Sequence, residues 1–125
     1  MIRNFIFPLL WAMTILCLSS VPSKELPDFS FWNIFGIDKL VHIAMYGILS
    51  FLVLKSGNLQ PAHWKLQNNI VFIAALSGVV YGGLIELYQE FILFDRHGEW
   101  MDFVANMAGT FFGIMLFKKF AVKVV

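Results

Sequence analysis

The chain has 125 residues, of which 59% are hydrophobic and only 14% charged, with a net charge of +1. Soluble domains average about 45–50% apolar and about 25% charged residues, and a unit this small buries only about two-thirds of its surface, so a water-soluble fold and a disordered chain are both excluded. The near-zero charge offers no footprint for nucleic acid, and a single cysteine, Cys17, excludes an intrachain disulfide and C-x-x-C metal motifs. What remains is an integral membrane protein, read as one unit over residues 1–125.

Four apolar stretches approach the spanning length of about 20 residues: Phe5–Val21, Ile37–Leu54, Ile70–Phe94 and Met101–Phe117. They are rich in Leu, Ile, Phe and Met and lack the alternation of a transmembrane barrel. Breakers separate them: Pro22 and Pro27, then Gly57, Asn58 and Pro61, then Gly98. The expected fold class is all-α, an integral membrane bundle of four transmembrane helices. The first stretch also has features of a signal peptide, with Arg3 ahead of it and a cleavage position after Ser19. It is read here as a retained first helix.

Orientation follows from Lys and Arg counts. With the N-terminus in the cytoplasm, that side holds Arg3, Lys55, Lys65, Lys118, Lys119 and Lys123, six against three for Lys24, Lys39 and Arg96 outside. Both termini are therefore expected to be cytoplasmic.

Ionisable residues in a membrane span are costly and call for a reason. Asp38, His42 and Tyr46 are spaced by four and share a face of the second helix, beside Lys39. The third helix carries Gly78, Gly82, Glu86 and Glu90 at the same spacing, with Gln89 one step aside. The fourth carries Asp102, Asn106, Gly109 and Gly113. At about 1.5 Å per residue, Glu86 lies about 24 Å from Ile70, towards the outer side. Asp38, Lys39 and His42, and Asp102 with Asn106, start their helices from that same side, where Arg96 sits in the connection. These residues are expected to form one outward-facing polar pocket. Gly78-x-x-x-Gly82 and Gly109-x-x-x-Gly113 are small-residue stripes, expected to make a seam between helices three and four.

In this order and spacing the chain resembles the VanZ-like family of bacterial membrane proteins. The segments that carry the resemblance are Leu18-Ser19-Ser20-x-Pro22, Asp38-Lys39-x-x-His42-x-x-x-Tyr46, Gly83-x-x-Glu86-x-x-Gln89, Arg96, and Asp102-x-x-x-Asn106-x-x-Gly109-x-x-x-Gly113. Phe94-Asp95 stands where the family often has a proline. The resemblance implies a multi-pass protein of the bacterial cytoplasmic (inner) membrane with a role at the cell envelope. Through the family's founding member it also implies a link to resistance to the glycopeptide antibiotic teicoplanin. It names a protein class rather than a reaction.

Three functional readings follow. In the first, the pocket engages an anionic lipid or a lipid-linked envelope precursor, with Lys39 and Arg96 gripping the anionic group. In the second, an intramembrane hydrolase or transferase uses His42, Glu86 and Asp102 as acid–base groups. In the third, an oligomeric transporter uses Glu86 as proton carrier. The bland alternatives are an interfacial histidine, a helix-start acid at Asp102, interhelical glue at Asn106, snorkelling at Lys39 and Arg96, and a hydrogen-bonding support role for Gln89. His42, Glu86 and Asp102 also form a conceivable ligand set. No H-E-x-x-H or other local motif supports it, so the sequence assigns neither metal nor cofactor. G-x-S-x-G and P-loop motifs are absent.

Overall fold

The computed structural model describes residues 2–20, 37–60, 69–92 and 100–124. Among these the chain is helical throughout. A 3₁₀ turn, Ile2–Phe5, leads into α1 (Ile6–Ser19) and is followed by α2 (Ile37–Asn58), α3 (Ile70–Phe91) and α4 (Trp100–Val124). Pro8 falls in the first turn of α1, where the amide it lacks would have no intrahelical partner. Helices α2, α3 and α4 are long and apolar enough to cross a membrane, whereas α1 is shorter. With its 3₁₀ turn, α1 still extends about 29 Å.

Three helix ends differ from the sequence reading. The second helix, expected to stop at Leu54, runs on to Asn58 through the residues read as breakers. Gly57 lies buried against Ile70, and Asn58 Nδ2 donates to the Leu54 carbonyl at 2.8 Å. A glycine without a side chain lets the start of α3 settle on the end of α2, so the break comes later. The third helix ends at Phe91 rather than Phe94, and the fourth continues past Phe117 through Lys118 and Lys119.

The packing is that of a membrane bundle. Every helix exposes large apolar side chains, among them Phe7, Leu40, Phe72, Leu84, Phe91, Phe111 and Met115, while Ser50, Glu86, Gln89, Asp102, Asn106 and Thr110 are buried. The residue contacts set the directions. Gly109 meets Ile43 and Gly113 meets Gly47, so α2 and α4 run parallel. Gly78 meets Thr110 and Gly82 meets Asn106, so α3 runs antiparallel to α4.

The glycine stripes therefore serve two seams, which corrects the expectation of one seam between helices three and four. Gly78 and Gly82 receive Thr110 and Asn106 from α4, as expected for that pair of helices. Gly109 and Gly113 instead face α2. A Cβ on Gly109 would lie 2.7 Å from the Ile43 Cα, and one on Gly113 would lie 2.9 Å from the Gly47 carbonyl carbon. The reason is rotation along α4: Gly109 and Thr110 are consecutive, so they point about 100° apart and address different neighbours. Ser50 closes the α2–α4 seam by donating to the Thr110 carbonyl at 2.8 Å.

Helix α1 is held by polar side chains. Trp11 Nε1 donates to the Met45 carbonyl at 2.8 Å. The Tyr81 hydroxyl donates to the Ala12 carbonyl, and Ser20 Oγ lies 3.1 Å from the Tyr88 hydroxyl.

Candidate functional site

Because α2 and α4 are parallel and α3 is antiparallel, the starts of α2 and α4 meet the end of α3. Lys39 and His42 come from the first turns of α2, Asp102 and Asn106 from the first turns of α4, and Glu86 from near the end of α3. The Lys39 ammonium donates to Asp102 Oδ1. The other oxygen, Oδ2, lies 3.7 Å from His42 Nε2. Asn106 Nδ2 donates to Glu86 Oε1 at 3.4 Å. One donor atom each from His42, Glu86 and Asp102 lies within 4.8 Å of the other two.

Burial gives this cluster its energetic weight. Glu86 is 8% exposed, Asp102 7% and Asn106 not at all. Two ionised carboxylates with oxygens no more than 4.8 Å apart repel by about 3.5 kcal/mol or more at an effective dielectric constant of about 20. The Lys39 ammonium on Asp102 and the amide on Glu86 offset that repulsion. Interactions of this kind weigh more in a low-dielectric bundle than at a wet surface.

The remaining residues expected in the pocket divide. Tyr46 is buried beside it, with its ring against the Gly82 and Asn106 contact and 6.3 Å from the Tyr81 ring. Its hydroxyl has no hydrogen-bond partner among the described residues, and the same holds for Asn106 Oδ1. Gln89 does not join the cluster through its amide nitrogen, which instead donates to the Ser19 carbonyl of α1 at 3.1 Å. Three residues beyond Glu86, it is turned about 60° around the helix, towards α1. Asp38 lies in the first turn of α2, but its side chain is outside the described residues, as is the whole of Arg96.

A cavity of about 510 Å³ opens beside Glu86 between α3 and α4, walled by Gly83, Leu87, Phe91, Trp100 and Phe103, with Glu90 at its edge. Its size falls within the usual range for small-molecule sites. Its walls include side chains that face outwards from the bundle, so it is entered laterally. A second groove, of about 340 Å³, lies between α2 and α4 and is lined by Leu40, Ile43, Phe51, Phe112 and other apolar residues.

Sequence reasoning missed two polar devices. Ser50 was passed over, although a serine inside an apolar span is a residue that hydrogen-bonds across helices; Thr110 was passed over too, and its hydroxyl donates within α4 to the Asn106 carbonyl while its side chain fills the space at Gly78. Trp11 is the second device. An indole placed in the middle of a span needs a partner for its N–H, and that need was the available signal.

The comparisons with known proteins agree with this architecture. No curated protein and no solved structure matches the chain. A family model described as VanZ/LLP1 matches residues 3–122, a span that reaches from the 3₁₀ turn into the last turn of α4 and includes every residue of the cluster, and on that match the chain is a membrane protein of the VanZ/LLP1 family.

Proposed function

We propose that the protein works at the cell envelope, in the bacterial inner membrane, by taking an anionic lipid or a lipid-linked envelope component into its lateral cavity. Acyl chains would lie along Leu87, Phe91 and Phe103, and the headgroup would meet the polar cluster, with Lys39 and Arg96 as its cationic contacts. The observation that carries this reading is that Glu86 belongs both to the buried cluster and to the wall of the lateral cavity. A polar group and a lipid-accessible apolar wall thus adjoin within one helix turn. A link to glycopeptide resistance would follow if the component is a precursor that the antibiotic recognises.

The test is native mass spectrometry of the detergent-solubilised chain with phosphatidylglycerol and with phosphatidylcholine. Preferential retention of the anionic lipid, reduced by Arg96→Gln, supports the reading. Equal retention of both lipids overturns it.

A second reading has an observation of its own. His42 Nε2 and Asp102 Oδ2 lie 3.7 Å apart with Glu86 adjoining, an acid–base arrangement suited to a hydrolase or transferase acting on such a lipid. Release of a headgroup during the same incubation would favour it.

A further inference from the structure

We propose that His42, Glu86 and Asp102 hold one divalent transition-metal ion, of the zinc or manganese class, at the polar head of the lateral cavity. Its role in retaining an anionic headgroup rests on the reading above, whereas the ion site stands on the geometry alone. The linear sequence assigns no metal to this trio because the three donors come from three different helices and leave no local motif.

Donor chemistry comes first. One imidazole nitrogen and two carboxylate oxygens converge within 4.8 Å. An imidazole in the set selects a transition ion over magnesium or calcium. The separation of 3.7 Å between His42 Nε2 and Asp102 Oδ2 is long for a hydrogen bond. It is close to the distance of about 3.4 Å between two ligand atoms that each sit about 2.1 Å from a tetrahedral ion. Lys39 donates to Oδ1 of Asp102. It thereby fixes the carboxylate and leaves Oδ2 turned towards the histidine, as an orienting partner does at metal sites.

A second, independent observation points to a ligand. Asn106 is fully buried and its carboxamide oxygen has no partner among the described residues, although the nitrogen of the same amide donates to Glu86. Tyr46 is 1% exposed with its ring against the same Gly82 surface, and its hydroxyl also has no partner among the described residues. Buried oxygens are normally satisfied, and the Asn106 oxygen sits on the amide whose nitrogen already reaches Glu86 Oε1. A cation held beside Glu86 could take the Asn106 oxygen as a further ligand. It also changes what the cavity can accept. Its walls carry the Glu86 and Glu90 carboxylates, which repel an anion, whereas an ion between Glu86 and Asp102 would attract one.

Mn²⁺ is the probe. The full chain in detergent is stripped with chelator, loaded with MnCl₂, dialysed and examined by electron spin-echo spectroscopy for nitrogen modulation from imidazole. The chain has three histidines, His42, His63 and His97. The inference expects one ion per chain, displaced by Zn²⁺, with nitrogen modulation that survives in the double variant His63→Gln/His97→Gln. Asp102→Asn and Glu86→Gln are expected to weaken retention by about tenfold or more. His42→Gln is expected to abolish the modulation, and if that variant does not fold, the double variant carries the assignment. Failure to retain a stoichiometric ion, or loss of the modulation in the double variant, overturns the site. Phosphatidylglycerol binding measured with and without the ion separates the two ideas. An ion retained without lipid binding upholds the site and refutes the lipid reading. Lipid bound with no ion retained refutes the site and leaves the lipid reading standing.

Discussion

Substituting Gly109 with alanine is the sharpest test of how the bundle positions its polar cluster. The added Cβ would lie 2.7 Å from the Ile43 Cα and 2.8 Å from the Ile43 carbonyl carbon. Carbon atoms in ordinary contact are about 3.5–4.0 Å apart, so the shortfall is about 1 Å. Both atoms it meets are backbone, and no rotamer change relieves the clash, so α2 and α4 must part. A gap of about 0.5–1 Å already forfeits a quarter to a half of each dispersion contact across the seam. Overpacking of this kind costs about 1–3 kcal/mol, towards the upper end here because the obstacle is main chain. Alanine returns about 1 kcal/mol of helix propensity, which leaves a net loss of about 1–2 kcal/mol.

Gly83→Ala is the internal control. Its Cβ would meet only the edge of the Phe103 ring, at 3.2 Å, and a ring on a partly buried side chain can turn aside. With the same gain in propensity, Gly83→Ala is expected to stay within about 0.5 kcal/mol of wild type, as surface-like substitutions do. Reversible unfolding in mixed sodium dodecyl sulfate and dodecyl maltoside micelles, followed by tryptophan fluorescence, measures both. A Gly109→Ala protein as stable as wild type, or a larger loss in Gly83→Ala, would refute the assignment of the α2–α4 seam.

Other consequences can be checked in the same preparation. Trp11→Phe keeps an aromatic ring but removes the bond to the Met45 carbonyl, and is expected to cost about 1 kcal/mol; an unchanged midpoint would mean that this bond adds nothing to the hold on α1. Lys39→Met leaves the Asp102 carboxylate without its ammonium and is expected to cost about 1–3 kcal/mol, since the lysine side chain is 26% exposed and water screens part of the pair. Adding Asp102→Asn to Lys39→Met should recover part of that loss, and a purely additive double variant would show that the pair carries no coupling energy. A reporter fused after Val125 should be active only in a form that works in the cytoplasm, following the six-to-three distribution of basic residues; a periplasmic signal would reverse the orientation.

Hydropathy and charge made the membrane class and the three long helices legible. The gathering of His42, Glu86, Asp102 and Asn106 at one end was legible too, because up-and-down helices must bring the starts of two to the end of the third. Less legible was the partner that each face meets. Helical period tells which residues share a stripe, and α4 carries two stripes about 100° apart with a different neighbour for each. That is why Gly109 was assigned to α3 when it packs on α2, and why Gln89 was placed with Glu86 when its amide donates to α1. Helix ends failed for a related reason: Gly57 and Asn58 are breakers only where nothing packs on them, and the start of α3 packs on Gly57.

The same rotational bookkeeping decides how a ligand would reach the cluster. Around α3, Gly78, Gly82 and Glu86 address α4, while Tyr81, Tyr88 and Gln89 are tied to α1 through the Ala12 carbonyl, the Ser20 hydroxyl and the Ser19 carbonyl. On the α2 side, Gly109 and Gly113 bring the backbones of α2 and α4 into direct contact. Leu84, Leu87 and Phe91 form the outward face that remains, and beside it lies the cavity that ends at Glu86. Among the described residues, helix α1 covers one flank of α3, and the cavity beside Glu86 opens laterally, between α3 and α4. Groups carried on three packed spans and spaced by backbone contact one to two turns away keep their geometry better than groups on loops. The small residues that hold α2 against α4 thus also hold His42 in place across from Asp102.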